Sequence, residues 1–415
     1  MEKRAIMQPQ KALLSETGFA ADSLSTPGEA LAAFFQRVTI AAPSVETVAR
    51  DESRGRILAS PVVSDEDYPG WSRSSMDGFA IAAIGTPGTF SIVGSVRMGE
   101  LPSGVVGAAQ AARIPTGGVL PRGTDAVVPI ESARVNGDSA AIEQSVAVGE
   151  FVIPRGADMR SGEAVLSPGT LIGPAQIGLL ASLGIGRVDV YRRPLVGVVS
   201  SGDEIVPPSQ RPSPGQVRDS NRYAIAATLE AMGVRVKHYP TVDDAEDALA
   251  SMLRAMLCEC DAVVANGGSS VGAHDRLPDA VARFDPGLIV HGLRVKPGKP
   301  ALLGAAGAKP IVGLPGNPAS ALFVLEAVTA PIFFALAGAP YRPVTERLRL
   351  TAAVRGRAGW TTYVPVEIEG DGARPLEMRS FSVRLAARAG GYLVVSPEAC
   401  ELHAGDEVTV RRFLT

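Results

Sequence analysis

The chain has 415 residues, of which 46% are hydrophobic and 20% charged, a balance that places it among globular proteins large enough for more than one core. Its formal net charge is −3 and no block of Lys and Arg occurs, which excludes a general nucleic-acid binder and means that an anionic ligand needs a local group of cations. Three cysteines (Cys258, Cys260, Cys400) and four histidines argue against a disulfide framework and a His-built metal centre, and suit buried thiols in a reducing, cytoplasmic compartment.

Residues 1–24 read as an extension without the apolar core of a secretory signal. From Ser25 a helix is expected. Thr26-Pro27 supplies a cap with Pro in the first turn, and Leu31, Phe34, Phe35 and Val38 share a face. Residues 61–155 change character. Short Val/Ile runs separated by Gly and Pro predict an inserted β domain, and VNGDS (135–139) reads as a hairpin turn. Residues 25–60 and 156–192 form a linker domain around it, with a short helix over PAQIGLLASLG that stops at Gly184.

From Pro194 strands alternate with helices, so a parallel α/β layer domain is expected over 193–337. Its predicted elements are PLVGVVS, the helix NRYAIAATLEAMG stopped by Gly233, VRVKHYP, the helix DDAEDALASMLRAML, DAVVAN and the helix DRLPDAVARF. The run 321–339, ALFVLEAVTAPIFFALAGA, is long enough to suggest a membrane span, but Glu326 and Pro331 interrupt it, so two buried helical pieces are expected and no membrane. Residues 338–415 return to strand-like runs that predict a small β-barrel or sandwich. The fold class is α/β plus β, with several domains.

In open α/β sheets ligands bind outside the carboxyl ends of the strands, so the residues after each strand are the candidates. PLVGVVS is followed by SGDE with Asp203 and Glu204, and VRVKHYP by TVDD, where one of Asp243 and Asp244 caps the next helix. DAVVAN is followed by GGSSVGAHD, in which Gly267, Gly268, Ser269 and Ser270 offer amides and hydroxyls to an anion, and which ends in Asp275. VKPGKP then places Lys296 and Lys299 about a Pro-Gly turn, and GLPGNPAS, ending in Ser320, opens a helix. Phosphate-type donors beside Asp203, Glu204, Asp243 and Asp275 point to Mg²⁺ held between carboxylates and a phosphate. No Walker A loop or G-x-G-x-x-G fingerprint is present. In the β domain, SSMDGFA with Asp77, IPTGG with Thr116 and PRGAD with Asp158 each put a small polar or acidic residue beside Gly. A carboxylate next to Met and Phe suits the N–H edge of a pterin or guanine ring.

SSMDGFA, IPTGG, RGAD, SSGDE, VRDSNR, NGGSSVGAHD, VKPGKP and GLPGNPAS, in this order, closely resemble the MoeA type of molybdopterin molybdotransferase, also seen in the E domain of gephyrin and its plant counterpart. The resemblance runs from about residue 25 to the C-terminus. It implies an elongated, cytoplasmic homodimer of four-domain subunits that inserts molybdate into adenylated molybdopterin, in a Mg²⁺-dependent step releasing AMP. The active site would be shared between subunits, and the molybdopterin adenylyltransferase is a possible partner. On the matching positions, Asp77, Thr116 and Asp158 would line the β side, and Glu204, Asp243 and Asp275 the acidic α/β side. Asp275, Asp203 and Glu204 would serve the metal, and Lys296, Lys299 and Ser320 the molybdate. Three positions depart from the family pattern. Gly292 stands where a further Lys is common, Ile153-Pro154 where an Arg is common, and Pro365 where an Arg of the C-terminal domain reaches the oxyanion, leaving Arg384 or Arg388 to replace it. Tungstate as the inserted oxyanion, or a non-catalytic molybdopterin-binding scaffold, are the alternatives.

Overall fold

The Val-rich run Leu195–Ser200 contains two interleaved apolar sets, and the fold uses both. In the computed structural model, which describes residues 24–242, 246–269 and 276–414, this run is the strand β1 of a six-stranded sheet. Val196 and Val198 face one hydrophobic core and Val199 the other, as a period-two strand buried on both sides requires. The chain divides into two units. One holds the described residues up to Ala59, Leu171–Pro174 and Arg187 onward; the other holds Ser60–Thr170 and Ala175–Gly186.

In the first unit, helix α1 (Pro27–Arg37) opens with a capping box: Glu29 N donates to the Thr26 hydroxyl, and Thr26 N to the Glu29 carboxylate. Ala30 and Phe34, four residues apart, are buried, and Val38 follows them. Phe35, expected on that face, is instead 41% exposed, because one residue along a helix is a turn of about 100°. After β1 come α2 (Asn221–Ala231), β2 (Arg235–His238), α3 (Glu246–Glu259), β3 (Ala262–Asn266) and α4 (Leu277–Ala282). Then follow β4 (Pro286–His291), β5 (Val295–Lys296), β6 (Leu302–Ala306) and β7 (Lys309–Leu314). The main sheet runs β2-β1-β3-β7-β6-β4. Its first four strands are parallel, as the strand–helix alternation predicts. At the other side β6, joined to β7 by a hairpin that turns at Gly307 with φ +58°, runs antiparallel to its neighbours β7 and β4. The chain steps from β1 to β2 on one side, then crosses to β3 on the other, so the topological switch point lies at the carboxyl ends of β1 and β3.

The apolar run forms one helical stretch from Pro318 to Leu336, in which α5 (Pro318–Val324) and α6 (Ala330–Leu336) are joined by a π-helical turn over Leu325–Thr329. Pro331 has no N–H and its ring would crowd the carbonyl four residues earlier; the wider turn gives that room. This stretch alone among the described helices is long and apolar enough to span a membrane, and 78% of its most apolar window is buried in the core.

The remaining strands β8 (Thr345–Leu350), β9 (Thr361–Glu369), β10 (Gly372–Pro375), β11 (Gly391–Val395) and β12 (Glu407–Arg412) pair in the ring β9-β10-β8-β12-β11-β9, a closed five-stranded barrel. Val364 and Val366 of β9 point into its core with Leu348, Leu393 and Val410. Tyr363 and Tyr392 point the other way and pack on Phe323 of α5. The short β5 adds to the barrel as well, pairing in parallel with β9 through Val295↔Thr361 and Lys296↔Thr362.

The second unit is β-rich. Its main sheet contains Gly78–Ile81, Gly88–Ser95, Gln110–Ile114, Ala126–Pro129, Arg134–Asn136 and Ser139–Ile142. The last two strands form the expected hairpin about Gly137 and Asp138. Phe79, Ile81, Phe90, Val128 and Ile142 make its core. Phe151, with φ +51°, is the one non-glycine residue in left-handed backbone among the described residues. Its carbonyl accepts from both the amide and the hydroxyl of Ser75, which helps hold that conformation.

Candidate functional site

Two strand ends and a helix start of the first unit meet near the switch point, and a pair of buried asparagines ties them together. Asn266, the last residue of β3, donates from Nδ2 to the Pro315 carbonyl at 2.7 Å. Its Oδ1 accepts from Asn221 Nδ2 at 2.9 Å, and Asn221 Nδ2 also donates to the Gly316 carbonyl at 2.7 Å. The ends of β3 and β7 and the start of α2 are thereby locked, with the asparagines 5% and 9% exposed. Both belong to recognisable motifs, SNR and NGG, yet sequence reasoning gave them no role. An amide pair with one donor satisfying two carbonyls is a spatial fact, not a spacing.

The glycine-rich loop lies against the end of β1. Gly267 and Gly268 have φ of +95° and +59°, so two successive residues occupy left-handed backbone. A Cβ on Gly267 would stand 2.5 Å from the Ser201 carbonyl oxygen, so only glycine permits this approach. Among the described residues, nothing accepts a hydrogen bond from the Gly268 or Ser269 amide. The Ser269 hydroxyl, expected to serve a ligand, turns inward: it donates to the Leu314 carbonyl at 3.2 Å and the residue is 2% exposed. His291 Nε2 lies 2.9 Å from the Ser269 carbonyl, which makes Nε2 the protonated nitrogen.

In the turn after β1, Asp203 and Glu204 are exposed, as a metal or phosphate site requires. Glu204 folds back over Gly202, where φ is +140°; a Cβ there would stand 2.5 Å from Glu204 Oε2. Asp243, Ser270 and Asp275 lie outside the described residues, as does Asp244. Among the described residues no three His, Cys, Asp or Glu side chains gather as a metal cluster.

The lysine motif sits on a different strap. Gly298, φ +110°, packs so closely on Val324 of α5 that any side chain would clash, and this fixes the turn between Lys296 and Lys299. Lys296 is exposed and opens into a cleft of about 430 Å³ that it shares with Arg355, Thr362, Tyr363 and Glu377 of the barrel. Lys299 is half-buried, and its carbonyl accepts from Leu293 N at 2.8 Å. Ser320 lies in the first turn of α5 and is 4% exposed. Arg388 does not line this cleft. It is held by Glu367, Nη2 to Oε2 3.1 Å, alongside Arg374. Arg384 is exposed and outside the cleft lining too. Arg355, which sequence reasoning passed over, is the arginine that faces the Lys296 cleft, paired at 3.0 Å with Glu401.

In the second unit the structure brings together two residues 39 apart in sequence: Thr116 N donates to Asp77 Oδ1 at 2.8 Å. The loops are cross-laced by Gly117 N to the Ser74 carbonyl (2.7 Å) and by Arg73 Nη1 to the Gly117 carbonyl (2.9 Å). Gly78, directly after Asp77, is pressed onto the Val128 carbonyl and tolerates no side chain. Asp158 is exposed, and its amide donates to the Tyr68 carbonyl at 3.0 Å. Its turn is organised by Asp67, which accepts from Ser161 N (3.0 Å) and Arg155 Nε (2.7 Å); these bonds, the Ser161 amide first, hold the Asp67 carboxyl below its ordinary range.

Comparison with known proteins bears on this geometry directly. Residues 26–184 match the MoeA N-terminal region (domains I and II), residues 197–335 a probable molybdopterin binding domain, and residues 347–413 the MoeA C-terminal region (domain IV). A protein of Nostoc sp. named molybdopterin molybdenumtransferase is 33% identical over 75% of this chain and 74% of its own length. Molybdopterin molybdenumtransferase 2 of Mycobacterium tuberculosis is 30% identical over 88% and 94%. A crystal structure of a MoeA molybdopterin biosynthesis protein from Pyrococcus horikoshii superposes with a TM-score of 0.76 at 29% identity, covering 94% of this chain and 99% of that one. A second structure from that organism reaches 0.83 at 24% identity, a likeness of fold.

Proposed function

Since the chain belongs to the MoeA family of molybdenum cofactor biosynthesis, we propose that it is a molybdopterin molybdotransferase that inserts molybdate into adenylated molybdopterin and releases AMP. The observation that carries this reading is the switch-point crevice. There, the Gly268 and Ser269 amides, which have no acceptor among the described residues, lie on the loop packed against Ser201 at the end of β1, and the turn that follows Ser201 carries the exposed carboxylates of Asp203 and Glu204. Amides select a phosphate and carboxylates select a cation, and an adenylated pterin phosphate with Mg²⁺ brings both.

In this reading Glu204 and Asp203, with Asp243 and Asp275, hold Mg²⁺. The described part fits that ion, which uses one or two carboxylates and fills its other positions with water and phosphate oxygen. When bound, Mg²⁺ supplies charge stabilisation to the adenylate phosphate. Lys296 and Lys299, set about the Gly298 turn, bind the molybdate oxyanion with Ser320, and Arg355 supports Lys296 from the barrel side. The Asp77 carboxylate, oriented by the Thr116 amide, accepts from the N–H edge of the pterin, and Asp158 lines the same ligand. The protein contributes orientation and charge, and no covalent nucleophile. A cytoplasmic homodimer supplied by a molybdopterin adenylyltransferase completes the proposal.

The test is AMP release from adenylated molybdopterin with molybdate and Mg²⁺. Asp275→Ala is expected to lower turnover at least about 100-fold, the scale of losing one electrostatic group at a reacting phosphate, while molybdopterin still binds. Full turnover in that variant overturns the role of Asp275. Molybdopterin binding without AMP release in the wild-type protein would instead favour a scaffold.

A further inference from the structure

Ser201 stands at the switch point as an exception to the hydrogen-bonding around it. The residue is 7% exposed, and its hydroxyl oxygen is buried with no partner among the described residues. Its neighbours have partners: Asn221 and Asn266 are bonded to each other and to two backbone carbonyls, and the Ser269 hydroxyl has Leu314. A buried hydroxyl left without a partner costs on the order of 1–3 kcal/mol, and native interiors keep few of them.

The direction of this hydroxyl is informative. A Cβ on Gly268 would stand 3.0 Å from Ser201 Oγ, and one on Gly267 would stand 3.4 Å from it. The hydroxyl thus faces the backbone of two consecutive glycines, whose missing side chains are what let the loop approach it so closely. The same loop presents the Gly268 and Ser269 amides without acceptors among the described residues. Ser200 also carries a hydroxyl without a described partner, but strand alternation sends it to the opposite face of β1.

We infer that Ser201 is a substrate-binding residue whose hydroxyl donates to a phosphoryl oxygen of the ligand, completing a three-donor cradle with the Gly268 and Ser269 amides. Two of the three groups can only donate, so the partner common to all three is an oxyanion, and its oxygens accept all three at once. Identifying that phosphate as the one on molybdopterin rests on the function proposed above. The carboxylates of the adjacent turn do not oppose this, because a phosphate arriving with a divalent cation meets both signs.

The experiment compares the full-length wild type with Ser201→Ala in two measurements. Calorimetric titration with inorganic pyrophosphate and with molybdopterin reads affinity, and the thermal midpoint without ligand reads stability. Loss of one hydrogen bond to a charged group predicts about tenfold weaker binding of both ligands in Ser201→Ala. The midpoint should hold or rise, because the variant buries no orphan hydroxyl. Affinity within twofold of wild type overturns the inference. So does a midpoint lowered by several degrees, which would make the hydroxyl structural. Pyrophosphate binding that depends on Ser201, in a wild type that does not bind molybdopterin, would keep the cradle and remove the functional reading. Wild-type AMP release with undiminished binding in Ser201→Ala would do the reverse.

Discussion

Replacing Glu326 by Gln tests the reasoning about the buried helix most sharply. Glu326 lies in the π-helical turn, 6% exposed, and its carboxylate Oε2 accepts from Leu414 N at 3.2 Å. Burial raises its pKa from 4.5 to about 7, the Leu414 amide opposing only in part. The unfolded chain therefore loses this proton near pH 4.5, while the folded chain keeps it to about pH 7. Stability from this group is present at low pH and falls as pH rises through that window. Each unit is worth about 1.4 kcal/mol, so the loss by pH 8 is on the order of 3 kcal/mol. Tyr341 nearby is shifted upward, chiefly by burial, and Tyr363 and Tyr392 likewise, so these stay neutral across the window. Glu326→Gln keeps an oxygen for the Leu414 amide and removes the titration. Urea denaturation followed by near-ultraviolet circular dichroism should find the two proteins similar at pH 5 and the variant more stable by up to about 3 kcal/mol at pH 8. A difference between them that is the same at both pH values refutes a buried, proton-holding carboxylate.

Gly202→Ala would put a methyl against the Glu204 carboxylate at a φ of +140°, a conformation costing a non-glycine residue about 1–3 kcal/mol. The Glu204 side chain can swing away, so the expected signature is a modest stability loss with about a tenfold higher Mg²⁺ concentration for half-maximal AMP release; an unchanged Mg²⁺ requirement separates Glu204 from the ion. Asn266→Ala strands the Pro315 carbonyl and one Asn221 donor, both buried, and is expected to cost about 2–4 kcal/mol in denaturant titration, whereas a cost under about 0.5 kcal/mol would show that water replaces the amide.

The sequence made some of this legible because local physics decided it. The α1 cap, the hairpin about Gly137 and the stop of α2 at Gly233 are written in single residues whose backbone needs are strong. The alternation Val196, Val198 against Val199 predicts a strand buried on both faces. The antiparallel β6–β7 addition was not legible, because Leu and Val runs do not record strand direction. The pairing of Thr116 with Asp77 was visible as two motifs but not as a hydrogen bond. Arg355, Asp67, Asn221 and Asn266 were missed for a common reason: each acts through a contact distant in sequence, which even the SNR and NGG motifs around the two asparagines do not record.

The two-residue ladder between β5 and β9 has a consequence for how such a molecule can be re-engineered. Lys296 is itself one of the paired residues, opposite Thr362. A graft that replaces the barrel with one from a relative therefore inherits a register as well as a surface. Sliding the splice by one residue at Thr361 would reverse which face of β9 its side chains present beside the lysine, since adjacent strand residues face opposite ways. Chimaeras cut between Leu336 and Thr345 would have to be screened for phase, as a reading frame is, before any loss of activity could be blamed on the transplanted side chains.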